Sequence, residues 1–372
     1  MDYTRRGLLT TVGAAGSVYA TGCLSGGGGT KGDGFAAQVS FPVIHDFAAN
    51  VVPEEAEVNN LVPVGQHGHG WEPSPDVQRS VTSSDAFVYV FEGFQPWADD
   101  MVTNVHRDHP DVAIVEAGEG VDMLEVGEYG HGDEGENDGH HEGEGGHHHD
   151  EGENGHSDDH EEEGNDHHGD HHEDEHHEGE EEGEHKEDGG HDHDHGGVDP
   201  HFWLDPLRAK TAVENVAQGL ADADENNEGY EENSEEYRSV LDKLHQEFEE
   251  TLSDTSQDTV LVAGHNAFGY LGERYGFDIV TLTGVSPDEQ PSARDIDRAQ
   301  GLIEDEGVRY VLSPVFESDT AARSLVSDTA AEEVLPITAF AGFAQDWLDE
   351  GWGYAEVMRN VNLSSLERAL DA

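Results

Sequence analysis

The sequence predicts an α/β protein of two lobes, each a mostly parallel sheet flanked by helices, joined by a long bridging helix. Three observations predict it. At 372 residues the chain exceeds what one hydrophobic core fills efficiently, so two ordinary domains are expected with material to spare. Apolar, β-favouring runs alternate with segments of helical period over two separate stretches. Between those stretches stands one long amphipathic helical pattern.

The elements follow in chain order. Residues Thr4-Arg5-Arg6-Gly7-Leu8-Leu9, a mild apolar run, and Ala20-Thr21-Gly22-Cys23 read as a twin-arginine export signal over 1–22, with a lipobox that would lipidate Cys23. The run is too short to cross a membrane as a mature helix. The alternative is an uncleaved anchor around a chance cysteine; either way the body lies outside the cytoplasm, tethered through the Gly-rich stretch 23–36. A first lobe then opens over 37–127, with strands at Ala37–Phe41, Ser84–Val90 and Val112–Val115, and helices at Val43–Val51 and Trp97–Asn104.

Residues 128–197 break the pattern with 18 His, 29 Asp/Glu, one Lys and almost nothing apolar. Such a segment buries too little to offset its ordering entropy, so a disordered insert is expected. The first lobe resumes over 198–232, where Asp205 is a good N-cap before Pro206, and Val213, Val216 and Leu220 share one helical face. The bridging helix is expected over 233–257, with Leu241, Leu244, Phe248 and Leu252 as its stripe. A second lobe over 258–372 repeats the alternation: strands Val260–Ala263, Phe277–Thr281, Tyr310–Leu312 and Val334–Ile337, helices Ala267–Tyr275, Ala293–Glu306 and Thr320–Thr329, and a last helix from Tyr354.

Charge narrows the function. A formal net charge of −67 excludes a nucleic-acid ligand and makes any charged partner a cation. Outside the insert, 55 acidic residues still face 16 basic ones, a surface suited to high salt, where the Debye length shrinks. The single cysteine, Cys23, forbids an internal disulfide and any Cys-rich zinc motif.

Eight histidines lie outside the insert: His45, His67, His69, His106, His109, His201, His245 and His265. Three have a context that suits a ligand. His69 lies in a Gly-rich loop, His201 in a Pro-stiffened loop before a helix, and His265 at the end of an apolar strand, where open α/β sheets bind ligands. Three imidazoles suit Zn(II), with a fourth position left for a carboxylate or water. The insert, dense in His among acids, offers many weak, exchanging nitrogen sites that would gather Zn(II) beside the cleft.

The stretches Val64-Gly65-Gln66-His67-Gly68-His69-Gly70-Trp71-Glu72-Pro73-Ser74-Pro75, Asp199-Pro200-His201-Phe202-Trp203-Leu204-Asp205-Pro206 and Gly264-His265-Asn266-Ala267-Phe268-Gly269-Tyr270-Leu271 resemble the three metal-binding motifs of zinc and manganese receptors of ABC importers. The resemblance runs from about Val39 to the C-terminus, broken by the insert, whose His-rich character resembles the zinc branch. It implies a metal held between the lobes by His69, His201 and His265, His69 being the motif position before Trp71-Glu72-Pro73 and His67 a second candidate. It also implies Asp346 as a fourth ligand, by analogy with an Asp that manganese-type members supply before a C-terminal helix. Capping of a loop is the alternative role for Asp346, and water, Glu72 or an insert histidine the alternative fourth ligand. The resulting expectation is a monomeric, lipid-anchored Zn(II) receptor outside the cytoplasmic membrane that delivers the ion to an ABC permease and catalyses nothing. Competing readings are a manganese or iron receptor, a surface zinc buffer or adhesin, and a zinc hydrolase or lyase. Against an enzyme, the sequence holds no GxSxG, and its one HExxH, His172 to His176, falls in the insert, which has no helical pattern.

Overall fold

A computed structural model describes residues 34–66, 68, 71–125, 197–284 and 289–372. The expected signal, Cys23, His67, His69 and nearly all of the insert therefore lie outside the described residues.

Both lobes are four-stranded parallel sheets with helices on each face. In the N-terminal lobe β1 (Ala36–Val39), β2 (Glu57–Asn60), β3 (Ala86–Tyr89) and β4 (Ala113–Glu116) stand in the order β2-β1-β3-β4. In the C-terminal lobe β5 (Thr259–Val262), β6 (Asp278–Thr281), β7 (Tyr310–Pro314) and β8 (Glu333–Ile337) stand in the equivalent order β6-β5-β7-β8. The helices are α1 (Pro42–Val51), α2 (Pro75–Thr82), α3 (Pro96–Asp108), α4 (Pro206–Ala223), α5 (Tyr230–Thr251), α6 (Gly269–Tyr275), α7 (Ala293–Glu306), α8 (Thr320–Asp328), α9 (Gln345–Asp349), α10 (Tyr354–Val357) and α11 (Ser364–Ala369). The first four each begin with proline, whose missing N–H is no loss in a first helical turn and whose fixed φ suits it.

The sheets' outer faces have small cores of their own, Phe87, Met101 and Val105 in one lobe and Val311, Ile303 and Leu325 in the other. Their inner faces share one core, in which Phe41, Trp203, Phe268, Phe340 and Tyr354 are essentially inaccessible to solvent. The two lobes thus bury a common apolar interface, which restricts how freely one moves on the other. The bridging helix α5 starts three residues before its expected first residue, after Gly229, because the Tyr230 hydroxyl is tied to Asp224 at 3.0 Å. It touches both lobes: the Tyr237 hydroxyl donates to Asp46 of α1 at 2.8 Å, and Glu247 pairs with Arg359 at 2.5 Å.

Three features depart from the sequence reading. β2 (Glu-Val-Asn-Asn) has no apolar run, because it is an edge strand and only half-buried. α2 and α9 form where the sequence reading expects no helix. The last helix is interrupted by a π-helical stretch, Met358–Leu363, a rare local widening that frequently accompanies function.

Where the chain leaves for the insert and where it returns lie side by side. Glu125 bridges Val198 in antiparallel fashion, and the Asp199 N–H donates to the Leu124 carbonyl at 2.8 Å. The two ends are fastened to the second lobe by Tyr270, whose hydroxyl donates to the Asp199 carbonyl at 2.6 Å and accepts from the Leu124 N–H at 2.9 Å.

Candidate metal centre

His201 is held from its own motif. The Asp199 carboxylate accepts the His201 backbone N–H at 2.9 Å and lies 2.7 Å from its Nδ1. The chain then makes a single 3₁₀ turn, Phe202–Leu204, with all three side chains buried, before Asp205 caps α4 by accepting the Leu207 N–H at 2.9 Å. Asp205 is wholly buried, yet its second oxygen meets Arg208 and Arg274, both at 2.9 Å, so its charge is compensated. Arg274 belongs to α6, so this ion pair also joins the lobes.

His265 stands three residues past the end of β5. Its Nδ1 meets the Glu317 carboxylate, which also accepts the His265 backbone N–H at 3.3 Å, and Glu317 itself comes from the loop after β7. Gly264 makes room for this approach, since a Cβ there would lie 2.5 Å from Pro314 and 2.7 Å from Glu317. The site thus sits at the carboxyl ends of β5 and β7, the crevice at which the chain's direction of winding reverses.

The two histidines, one from each lobe, face one another. Their ring centroids are 5.4 Å apart at 52°, and at most 1 % of either residue is exposed. A carboxylate can only accept a hydrogen bond, so in each ring Nδ1 is the donor, and Nε2 is the nitrogen through which a neutral ring would bind a metal. Carboxylates bonded to the outer nitrogen orient an imidazole and make it a better metal ligand. Two such rings at a buried meeting of lobes suit a borderline divalent cation. Phe316, Thr338, Ala339 and Ala341 line the cavity beside His265 and bring no charge to it.

Of the residues expected at the site, the structure brings His201 and His265 together, while His69 lies outside the described residues. Its neighbour Gly68 is described, and the Gly68 N–H donates to the Ala341 carbonyl at 2.7 Å, on the wall of the same cavity. Asp346 is solvent-exposed in the first turn of α9, and Glu72 is exposed as well. Among the described residues no three His, Cys, Asp or Glu side chains converge as a complete metal centre. Sequence reasoning missed Glu317 altogether, and it assigned no role to the Asp199 side chain. The signal available for Glu317 was its position just past β7, the strand that neighbours β5.

The chain has relatives among known proteins. The chain is 28% identical over 347 residues to the high-affinity zinc uptake system protein ZnuA of Bacillus subtilis (strain 168), covering 93% of this chain and 90% of that one. It is 28% identical over 333 residues to the zinc-binding protein AdcA of Streptococcus pyogenes serotype M3, covering 89% of this chain but only 55% of AdcA. The crystal structure of the metal-dependent lipoprotein YcdH from Bacillus subtilis superposes with a TM-score of 0.64 at 22% identity, over 91% of this chain and all of YcdH, and so shares the fold. With residues 38–369 matched by the model of the periplasmic zinc-uptake complex component A, the chain belongs to the ZnuA family.

Proposed function

We propose that the chain captures Zn(II) outside the cytoplasmic membrane and hands it to the permease of an ABC importer, with His69, His201 and His265 as protein ligands. One observation carries this: two buried imidazoles from different lobes face one another, each with its Nδ1 held against a carboxylate. Nitrogen donors favour zinc over manganese, which prefers oxygen. Support for His69 comes from Gly68, which is fastened to the cavity wall.

For the fourth position we favour water over Asp346. An acid in the first turn of a helix is favourably placed where it stands, and Asp346 is exposed while the histidines are buried. Both carboxylates beside the pair, Asp199 and Glu317, are engaged with imidazole N–H groups, so neither serves as the general base that a zinc hydrolase needs. That favours a receptor over an enzyme. Attachment to the membrane through Cys23 rests on the lipobox alone, and no helix among the described residues is long and apolar enough to cross a membrane.

Titration calorimetry with Zn(II) and Mn(II) on the wild type and on His69→Ala, His201→Ala and His265→Ala is the test. Each substitution should abolish the tight zinc site, leaving only weak binding, and Mn(II) should fail to compete. Retention of tight binding in either His201→Ala or His265→Ala would refute the assignment.

A further inference from the structure

The lobes are also joined by a row of backbone carbonyls that ligand chemistry does not call for. After β8, alternate residues of the C-terminal lobe turn their carbonyls toward the N-terminal lobe. Ala339 accepts from Trp203 Nε1 at 2.9 Å, Ala341 from the Gly68 N–H at 2.7 Å, and Phe343 from the Gly65 N–H at 3.1 Å. Two of these donors belong to the loop that flanks positions 67 and 69.

The segment is held in a costly shape. Phe340 has φ +60, a left-handed backbone that a bulky side chain adopts only where its surroundings impose it. Here they do, because the Phe340 ring is wholly buried against Tyr354 at 4.9 Å and Phe343 at 5.9 Å. The segment's start is fixed by Asn362, a fully buried side chain in the π-helical stretch. Its Oδ1 accepts the Thr338 N–H and its Nδ2 donates to the Thr338 carbonyl, both at 2.9 Å, as a neighbouring strand would. Thr338 in turn accepts the Phe340 N–H through its hydroxyl at 3.1 Å.

Two glycines let the backbones meet. A Cβ on Gly342 would lie 2.6 Å from the Gln66 carbonyl, and one on Gly68 would lie 2.5 Å from the Phe41 ring and 3.0 Å from the Ala341 carbonyl. Neither position tolerates a side chain without moving the loop against its neighbour.

We infer that residues 338–343 form a clasp that holds the 65–68 loop on the C-terminal lobe, and that Gly342 and Asn362 are positioning residues that set how fast zinc leaves. The kinetic half rests on the proposed ligand role of His69; the clasp itself does not. Parting the lobes at this edge requires three hydrogen bonds to break together, so the release rate reflects backbone contacts as well as ligand bonds.

The test is Gly342→Ala in the full chain, with two readouts. Hydrogen exchange in metal-free protein should speed up at the Gly65 and Gly68 amides by tenfold or more while β5 and β7 keep wild-type protection. Zinc release to a chelator in stopped flow should quicken by a similar factor. Gly301→Ala, with open space around its Cβ, should change neither. Trp203→Phe, which removes one donor while keeping an aromatic ring, should give a smaller acceleration of both and guards against a folding defect in the glycine variant. Wild-type amide exchange in Gly342→Ala would overturn the clasp. Faster exchange with wild-type zinc release would overturn its control of release. Failure of zinc binding to depend on His201 or His265 would sink the receptor reading and leave the exchange result standing.

Discussion

The two lobes have the same topology, and their crevices make opposite use of it. In the N-terminal lobe the residues just past β1 and leading into α3 beyond β3 are Ser40 and Gln95. The Ser40 hydroxyl donates to Gln95 Oε1 at 2.8 Å, and Gln95 Nε2 donates back to the Ser40 carbonyl at 3.2 Å. In the C-terminal lobe the equivalent region beyond β5 and β7 holds His265 and Glu317. One crevice is sealed by a neutral pair that satisfies itself, the other by a carboxylate held against an imidazole, the pair on which the proposed zinc site is built. The fold supplies the position in both lobes, and on the proposed reading the side-chain chemistry at two residues decides whether the position binds.

The sharpest way to break this contrast is to neutralise the C-terminal pair. Glu317→Gln keeps the shape and an acceptor for His265 Nδ1 but removes the charge that strengthens the imidazole. Zinc affinity should fall by about 10- to 100-fold, the range for partners one step removed from a metal. Calorimetry at fixed pH checks it, and an unchanged affinity would mean that the crevice, not the carboxylate, makes the site.

Much of this was legible in the sequence, for physical reasons particular to the residues. Buried parallel strands such as Val260-Leu261-Val262 are runs of apolar residues, and His201 and His265 stand beside capping and strand-end patterns that fix where they fall. Glu317 was not legible. It stands among Ser, Asp and Thr in a loop like any solvated acid, and only the register of β7 beside β5 brings it to the imidazole. The same holds for β2, which pairs with β1 through its backbone while its side chains remain half-exposed, and for the clasp, since backbone carbonyls carry no residue signal.

A smaller effect separates an acid that has an imidazole from a half-buried one that has none. Burial pushes the Asp46 carboxyl up to about 6; the Tyr237 hydroxyl and the Tyr354 backbone pull it back, and the charge of Glu356 pushes it further up. The folded protein therefore holds this proton more tightly than the unfolded chain. The group favours folding in acid, and that contribution is lost as pH rises from about 4 through 6. Asp46→Asn does not titrate, so its melting temperature relative to wild type should climb by several degrees between pH 4 and pH 7. With Asp46 partly exposed, about 1–2 kcal/mol is the expected span. A difference that stays flat across this range would show that the carboxylate is well solvated between α1 and α5.

The smallest effect tests whether the N-terminal crevice is as inert as its neutral pair suggests. Ser40→Ala deletes one buried hydroxyl and should cost about 1 kcal/mol, read in denaturant unfolding. Zinc affinity should remain within about twofold, because the Ser40 carbonyl still accepts from Gln95. Yet Gln95 Nε2 also reaches the Gly68 carbonyl at 3.4 Å, a long bond from the same loop that the clasp holds by its N–H. Gly68 is thus gripped from both sides, by the N-terminal crevice at its carbonyl and by the C-terminal lobe at its amide. If Ser40→Ala lowered zinc affinity tenfold, the neutral pair would count as part of the metal machinery, and the contrast between the lobes would become a division of labour: one crevice supplies a ligand, the other steadies the loop beside it.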